Sequence, residues 1–239
     1  MVSRMDRMGE EGTNLLVTKI DNILMSFYKK LPFTYLGILR KSFGKYLHTS
    51  DQITLLDLGC GDGTMLERLE LPGNFVITGV DIFEPYLKIA KRKGIYKRLI
   101  KRDARLFNSR NKFDIVLASH VLEHLTKTQG IKFIKKLENL ACKSVIIATP
   151  IGDLPQDEYD SNPNQIHQSE WSVLEFKDMG YKINSQGLKL LWGNQNIVKE
   201  YGIFSYVFFL ISTLSQPLLR IFPNLGTYMI CYKEIARKR

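Results

Sequence analysis

The sequence predicts an α/β fold with a mostly parallel sheet and helices on both faces. Short apolar runs of strand length alternate with segments whose apolar residues recur at helical spacing. The first of these runs, residues 53–58, leads into a glycine turn at residues 59–63 and then into a helical pattern. Strand, glycine turn and helix in this order form the opening unit of a Rossmann-like sheet.

The domain organisation follows from length and periodicity. The 239 residues, 44% hydrophobic and 11% aromatic, are enough for one large packed domain with an appendage. Apolar residues recur at helical spacing over residues 16–31 and 35–47, so residues 1–50 are predicted to form a helical cap. Residues 51–239 are predicted to form the main domain, with an apolar insert at about residues 187–225.

The remaining elements are predicted in chain order. A helix over residues 84–93 is favoured by Pro85 in its first turn and by Gly94 after its end. Residues 119–125 are predicted to begin another helix, and residues 171–179 a third. Further strands are expected at residues 75–80, 98–102, 113–118, 144–149, 181–185 and 227–235.

The glycine turn carries the most specific motif. The third glycine comes one residue too early for the dinucleotide fingerprint, and no phosphate-loop Gly-Lys-Ser/Thr occurs. An acidic residue at position 57 would repel a phosphate but suit an ammonium group. Asp57, Gly59, Gly61 and Gly63 resemble the first motif, D/E-x-G-x-G-x-G, of the class I S-adenosylmethionine-dependent methyltransferases.

This resemblance covers about residues 51–186 and 226–236, and it is of the small-molecule, lipid or glycan type, similar to methyltransferase types 11, 12 and 23. It implies seven strands, the last antiparallel, and S-adenosyl-L-methionine as cofactor. In such a site Asp81 accepts from the ribose, Ile82 packs on the adenine and Asp103 accepts from the adenine amino group. The full set of expected cofactor-binding residues is Asp57, Gly59, Cys60, Gly61, Asp81, Ile82, Asp103, Ala104 and Ser119.

An oxygen or nitrogen acceptor has to lose a proton during methyl transfer. His120 and His167 are the candidate bases, because imidazole titrates near neutral pH. Residues 151–168 form a long polar loop, and loops of this length are usually functional. It resembles the acceptor-side loop of small-molecule methyltransferases, so the expected acceptor-side residues are Asn162, Gln165 and Trp171.

Residues 119–125 raise the question of a metal. On a helix His120, Glu123 and His124 would share one face. Some O-methyltransferases of the superfamily bind a divalent metal through E-x-x-E-H and a later residue, but here histidine replaces the first glutamate. We therefore expect no metal, with these three residues as the alternative ligand set.

The charge distribution leaves several partners open. The formal net charge is +10, and residues 88–112 hold eleven Lys or Arg against a single Asp. Such a segment suits nucleic acid, an anionic membrane or a phosphorylated substrate, and the plain alternative is a solvated helix surface. The apolar run at residues 203–214 is too short to span a bilayer, and it fits a buried helix, a dimer face or a membrane-interface element.

These observations predict methyl transfer (EC 2.1.1.-) to a small-molecule, glycan or lipid-linked acceptor, at oxygen. The alternatives are an RNA methyltransferase that uses residues 88–112, although RNA is the less expected acceptor, and a non-catalytic partner-binding module. Three widely separated cysteines and no apolar signal segment indicate a cytoplasmic protein. We expect it on the inner face of the membrane as a peripheral protein, with its oligomeric state open.

Overall fold

The computed structural model describes residues 34–158, 160–189, 211 and 214–236. Its strands form one seven-stranded sheet. In chain order they are β1 Ile53–Leu58, β2 Phe75–Asp81, β3 Arg98–Lys101, β4 Phe113–Ser119, β5 Ala141–Pro150, β6 Lys182–Leu188 and β7 Gly226–Glu234. The α-helices are α1 Tyr35–Phe43, α2 Thr64–Leu69, α3 Glu84–Lys93, α4 Lys127–Leu140, α5 Val173–Asp178 and α6 Gln216–Ile221.

The strand order is β3-β2-β1-β4-β5-β7-β6. The pairs between β1, β2, β3, β4 and β5 are parallel, and β7 runs antiparallel to both β5 and β6. The predicted Rossmann-like sheet of seven strands with an antiparallel last strand is confirmed. Because the parallel strands end at the same edge, the segments after β1, β2 and β4 come together there.

Helix α1 covers one face of the sheet near this edge. Thr34 begins the helix by accepting a hydrogen bond from the backbone N–H of Gly37, at 3.0 Å. Gly44 follows its last turn with a φ of +47°. The buried residues of α1, Ile38, Leu39 and Phe43, pack with apolar side chains of β1. This packing places Tyr35 beside the end of β4.

The segment after β4 departs from the prediction. Residues 119–125 do not begin an α-helix: β4 extends to Ser119, His120 has a φ of +55°, and only a short 3₁₀ turn follows at Leu122–His124. The helix starts later, at Lys127, because Thr126 and Gln129 form a reciprocal capping box. A φ in the left-handed region is costly for a residue with a side chain and is most often found at functional sites.

The predicted helix at residues 16–31 lies outside the described residues, as does most of the apolar run at residues 203–214. Helix α6 lies in the described part of the predicted insert at about residues 187–225, and β7 follows the insert. Among the helices of the described ranges, none has the length and apolar character needed to cross a bilayer.

Candidate active site

A cavity of about 360 Å³ lies at the carboxyl ends of β1, β2 and β4. This is the edge at which open α/β sheets bind their ligands, and the volume suits a ligand of cofactor size. The lining consists of the glycine turn, acidic strand ends, the turn after β4 and the polar loop: Gly59, Cys60, Gly61, Asp62, Met65, Asp81, Ile82, Asp103, Ala104, Arg105, Ser119, His120, Val121, His124, Leu125, Asn162, Pro163, Asn164, Gln165 and Gln168.

Two glycines of the turn meet different demands. Gly59 has a φ of +80°, and a Cβ there would lie 2.3 Å from a methyl carbon of Val121. Gly61 has a φ of +55°, and a Cβ there would meet no atom of the described residues within 4 Å. Gly59 is therefore required for close packing, whereas Gly61 leaves open space for a ligand against the backbone.

Asp81 holds this turn in place. One carboxylate oxygen accepts from the backbone N–H of Gly61 at 2.8 Å, and the other accepts from that of Phe83 at 2.8 Å. Carboxylate oxygens have further lone pairs, so Asp81 can still accept from a diol in the cavity. Ile82, next to it, is 42% exposed and offers an apolar surface. Both residues line the cavity, and their ribose and adenine roles stay predictions.

Asp103 is already paired in this structure. The guanidinium of Arg105 bonds both of its carboxylate oxygens, at distances of 2.6 to 3.0 Å. The hydrogen bond from Arg105 keeps the pKa of Asp103 below its ordinary value. An adenine amino group would share this carboxylate with Arg105. No pattern in the sequence indicated Arg105 as a site residue. Ala104, between the two, lines the cavity.

Asp57 lies beneath the glycine turn, outside the cavity lining, and is 1% exposed. One of its oxygens accepts from the Tyr96 hydroxyl at 2.8 Å, while the other has no hydrogen-bond partner among the described residues. Burial raises the pKa of Asp57 to about 7, and the bond from Tyr96 only partly opposes this. A positive charge bound nearby would therefore favour the ionised form of Asp57.

His120 is the centre of a hydrogen-bond network. Its Nδ1 is 3.0 Å from a carboxylate oxygen of Glu123, and its Nε2 is 3.1 Å from the Tyr35 hydroxyl. The other oxygen of Glu123 accepts from the Thr149 hydroxyl at 3.1 Å. Burial opposes ionisation of Glu123, but the hydrogen bond and charge of His120 leave the pKa of Glu123 below its ordinary value. His120 is thus oriented by an ionised carboxylate, as a general base requires.

The polar loop forms part of the cavity wall. Asn162 is 2% exposed, and its side-chain oxygen accepts from the backbone N–H and side-chain amide of Asn164. The backbone N–H groups of Gln168 and Ser169 donate to the carbonyl oxygen of Glu123, at 2.7 and 3.2 Å. The loop is therefore fixed to the turn that carries His120. Asn162 and Gln165 line the cavity as expected, together with Asn164 and Gln168.

Besides Asp57, two further predicted site residues, Trp171 and His167, lie outside the cavity lining. Trp171 is 1% exposed and packs in the core against Phe176, so it cannot contact an acceptor. The reason is close packing on α4, where a Cβ on Gly130 would lie 2.4 Å from the indole. His167 is also outside the cavity lining and contacts the ring of His124, with centroids 4.9 Å apart.

The structure groups a different set of potential metal ligands from the predicted one. The ligand atoms of Glu123, His124 and His167 lie within 4.8 Å of one another. The Nδ1 atoms of His124 and His167 contact the carbonyl oxygens of Ile166 and Leu154. A carbonyl oxygen only accepts, so each Nδ1 carries the proton and each Nε2 keeps a lone pair.

This cluster fits a divalent cation. Burial lowers the pKa of His124, which favours the neutral form that binds metal. Two imidazoles and one carboxylate suit a first-row transition metal better than magnesium. The nitrogens of His120 are bonded to Tyr35 and Glu123 instead. In the predicted ligand set of His120, Glu123 and His124, His167 therefore replaces His120.

Comparisons with known proteins identify the class of domain. Residues 55–142 match a family described as "Methyltransferase domain". The chain is 32% identical over 99 residues to the ubiquinone biosynthesis O-methyltransferase of Hydrogenovibrio crunogenus (39% of this chain, 41% of that protein). It is 27% identical over 173 residues to the small RNA 2'-O-methyltransferase of Arabidopsis thaliana (59% of this chain, 18% of that protein). In both cases it matches less than half of the relative.

The fold is also that of the plantazolicin methyltransferase BpumL in its complex with S-adenosylhomocysteine, with a TM-score of 0.52, 19% identity and 91% of each chain covered. The chain carries a class I S-adenosylmethionine-dependent methyltransferase domain, as its first motif predicts. It is an enzyme that uses S-adenosyl-L-methionine. We propose that this cofactor binds in the cavity beside the glycine turn.

Cofactor affinity should rise with pH through the titration of Asp57. Its pKa in the free protein is about 7, and the positively charged cofactor favours its ionised form, so binding releases a proton near neutral pH. Affinity for S-adenosylmethionine should therefore increase roughly tenfold from about pH 6 to about pH 8. Calorimetry in buffers of different ionisation enthalpy measures both the affinity and the released proton. In Asp57→Asn the affinity should be weaker and independent of pH; an unchanged pH dependence there would exclude Asp57 as the titrating group.

The metal cluster predicts that the protein binds Zn²⁺ or Mn²⁺ through His124 and His167. Calorimetric titration of metal-free protein should show one site, and His124→Ala or His167→Ala should lower its affinity by about tenfold to a hundredfold or more. His48→Ala is the matched control, since this histidine is remote in sequence from the cluster. Equal affinity in all four proteins would place any bound metal elsewhere.

Proposed function

We propose that the enzyme methylates an oxygen atom of a small-molecule, glycan or lipid-linked acceptor that enters through the polar loop. The observation that carries this proposal is the chemistry of the part of the cavity wall that the polar loop forms. Asn162, Asn164, Gln165 and Gln168 line the cavity together with His120. Neutral amides recognise hydroxyl groups through hydrogen bonds and offer no countercharge to a phosphate.

The chemistry needs little from the protein beyond orientation and a base. The cofactor supplies an activated methyl group, so the acceptor oxygen has to be held in line with the methyl carbon and has to lose its proton. His120 lines the cavity and is oriented by Glu123, which makes it the better of the two predicted bases. His167 lies outside the cavity lining. The name of the relative from Hydrogenovibrio, an O-methyltransferase, supports oxygen as the acceptor atom.

RNA is the second candidate acceptor. The relative from Arabidopsis is a small RNA methyltransferase, and ten of the eleven basic residues at positions 88–112 are exposed. Four of these side chains already have acidic partners: Lys88 and Lys101 share Glu84, Lys93 pairs with Asp62 and Glu67, and Arg105 pairs with Asp103. The acidic residues Asp62, Asp81 and Asp103 line the cavity against a single Arg105, which disfavours a phosphate inside it. We therefore rank an uncharged hydroxyl acceptor first.

A membrane-bound acceptor is supported by the surface of α6 and the turn after it. Leu219 is buried against the sheet, whereas Leu218, Ile221, Phe222 and Leu225 are 43–71% exposed. An apolar face of this kind, on a chain of net charge +10, suits an anionic membrane surface. We propose that this face docks the enzyme on the cytoplasmic leaflet when the acceptor is lipid-linked.

The acceptor can be identified by labelling. Purified enzyme, methyl-labelled S-adenosylmethionine and fractionated cell extract should yield a product labelled at oxygen and resistant to ribonuclease. His120→Ala should lower turnover by about a hundredfold or more because the base is lost, while cofactor affinity is retained. His48→Ala should behave as the wild type. Ribonuclease-sensitive label would establish RNA as the acceptor instead, and no labelled product would favour a non-catalytic module.

Liposome flotation tests the membrane proposal. The wild type should float with anionic vesicles at low salt, and Ile221→Ser combined with Phe222→Ser should remain at the bottom because the apolar anchor is lost. Leu174→Ser is the matched control, since Leu174 is 66% exposed on α5. A wild type that does not float would overturn membrane docking and leave this face as a candidate contact between copies of the chain.

A further inference from the structure

The hydrogen bonds of His120 give its ring a defined tautomer. Its Nδ1 faces one carboxylate oxygen of Glu123, while the other oxygen accepts from the Thr149 hydroxyl, so this carboxylate acts as an acceptor on both sides. Nδ1 therefore carries the proton in the neutral ring. The lone pair of the imidazole lies on Nε2, which is 3.1 Å from the Tyr35 hydroxyl.

Tyr35 occupies the basic nitrogen of His120. Burial raises the pKa of Tyr35 above its ordinary value, so its hydroxyl stays protonated and donates to Nε2. The same hydroxyl oxygen is 2.9 Å from Ser119 Oγ, which can donate to it. The bonds thus run in one direction, from Ser119 through Tyr35 to His120 and Glu123, and Thr149 completes the environment of the carboxylate.

Both ring nitrogens of His120 are engaged, so an acceptor in the cavity finds neither of them free. Ser119 lines the cavity, whereas Tyr35 does not. The hydroxyl of Ser119 is therefore the point at which the cavity meets this chain of hydrogen bonds. The sequence separation of Tyr35 from His120, 85 residues, explains why no local pattern indicated the contact.

We propose that Tyr35 is a positioning residue for the methyl transfer: its hydroxyl fixes Nε2 of His120 as the basic atom and connects it to the cavity through Ser119. This inference rests on the proposed function, in which His120 is the base. Tyr35 is itself held by the packing of α1 and by its ring contacts with His120 and Tyr228, at centroid distances of 5.6 and 6.3 Å.

The proposed step balances in atoms and charge. The acceptor oxygen forms a bond to the methyl carbon as the carbon–sulfur bond breaks, and the bonding electron pair remains on sulfur. The acceptor proton passes to Ser119 Oγ, the serine proton passes to Tyr35, and the tyrosine proton passes to Nε2 of His120. The imidazolium that forms lies beside the ionised Glu123, which stabilises its positive charge.

Imidazole nitrogen NMR on the complex with S-adenosylhomocysteine tests the positioning without an acceptor. The chain has four histidines, so their signals can be assigned with His→Gln variants. We expect His120 to be protonated on Nδ1, with an Nε2 signal that moves in Tyr35→Phe towards that of a nitrogen without a hydrogen bond. Tyr228→Phe is the matched control, because Tyr228 contacts the same ring edge-on at 5.4 Å. It should leave the signal in place.

Turnover with the labelled acceptor fraction is the second measurement. Tyr35→Phe should lower kcat by about a hundredfold, with KM and cofactor affinity close to wild type, and Tyr228→Phe should not. A proton on Nε2 in the wild type, an Nε2 signal unmoved in Tyr35→Phe, or a wild-type kcat in that variant would each overturn the proposal. If His120→Ala alone retains full turnover, the proposed base fails, and the NMR result still decides whether Tyr35 positions the ring.

Discussion

The hydrogen bond from the backbone N–H of Gly61 to the Asp81 carboxylate is the contact on which the site depends. It joins the turn after β1 to the end of β2 at 2.8 Å. The backbone N–H groups of Gly59 and Cys60 also donate to the carbonyl oxygen of Val80, so three bonds tie a turn of three glycines at positive φ to the neighbouring strand. Of the acceptors in these bonds only Asp81 is a side chain that lines the cavity, so it shapes the backbone of the proposed cofactor site and keeps lone pairs for a ligand there.

Glu123 has the corresponding role on the acceptor side. Its carboxylate orients His120 and accepts from Thr149, and its backbone carbonyl receives the N–H groups of the polar loop. A buried carboxylate is costly unless it is hydrogen-bonded, and each oxygen of Glu123 has one such partner, His120 or Thr149. Because one residue holds both the candidate base and the loop, the distance between His120 and the acceptor wall is fixed by local geometry.

The sequence could predict the sheet and the glycine turn because both depend on local patterns. Strand-length apolar runs, Gly94 after α3 and the spacing of Asp57 from the glycines all act over a few residues. The turn after β4 could not be predicted, since spacings of three and four residues occur in a 3₁₀ turn as well as in an α-helix. Trp171 was wrongly predicted to contact the acceptor, because its packing against Gly130 is a contact between distant segments. Tyr35 was missed for the same reason, since it bonds to a residue far away in the sequence, His120.

In the proposed cofactor site, the charges of the cavity favour the binding of S-adenosylmethionine over that of S-adenosylhomocysteine, the spent cofactor. S-adenosylmethionine carries a sulfonium in addition to its amino acid charges, and transfer of the methyl group leaves a neutral sulfide. The lining includes Asp62, Asp81 and Asp103 against a single Arg105, with Asp57 buried beneath the turn. The attraction of these groups for the sulfonium therefore ends when the methyl group has moved. In a partly buried site few water molecules screen these charges, so the attraction that is lost is larger than it would be in water. The methyl transfer itself therefore weakens the binding of the spent cofactor.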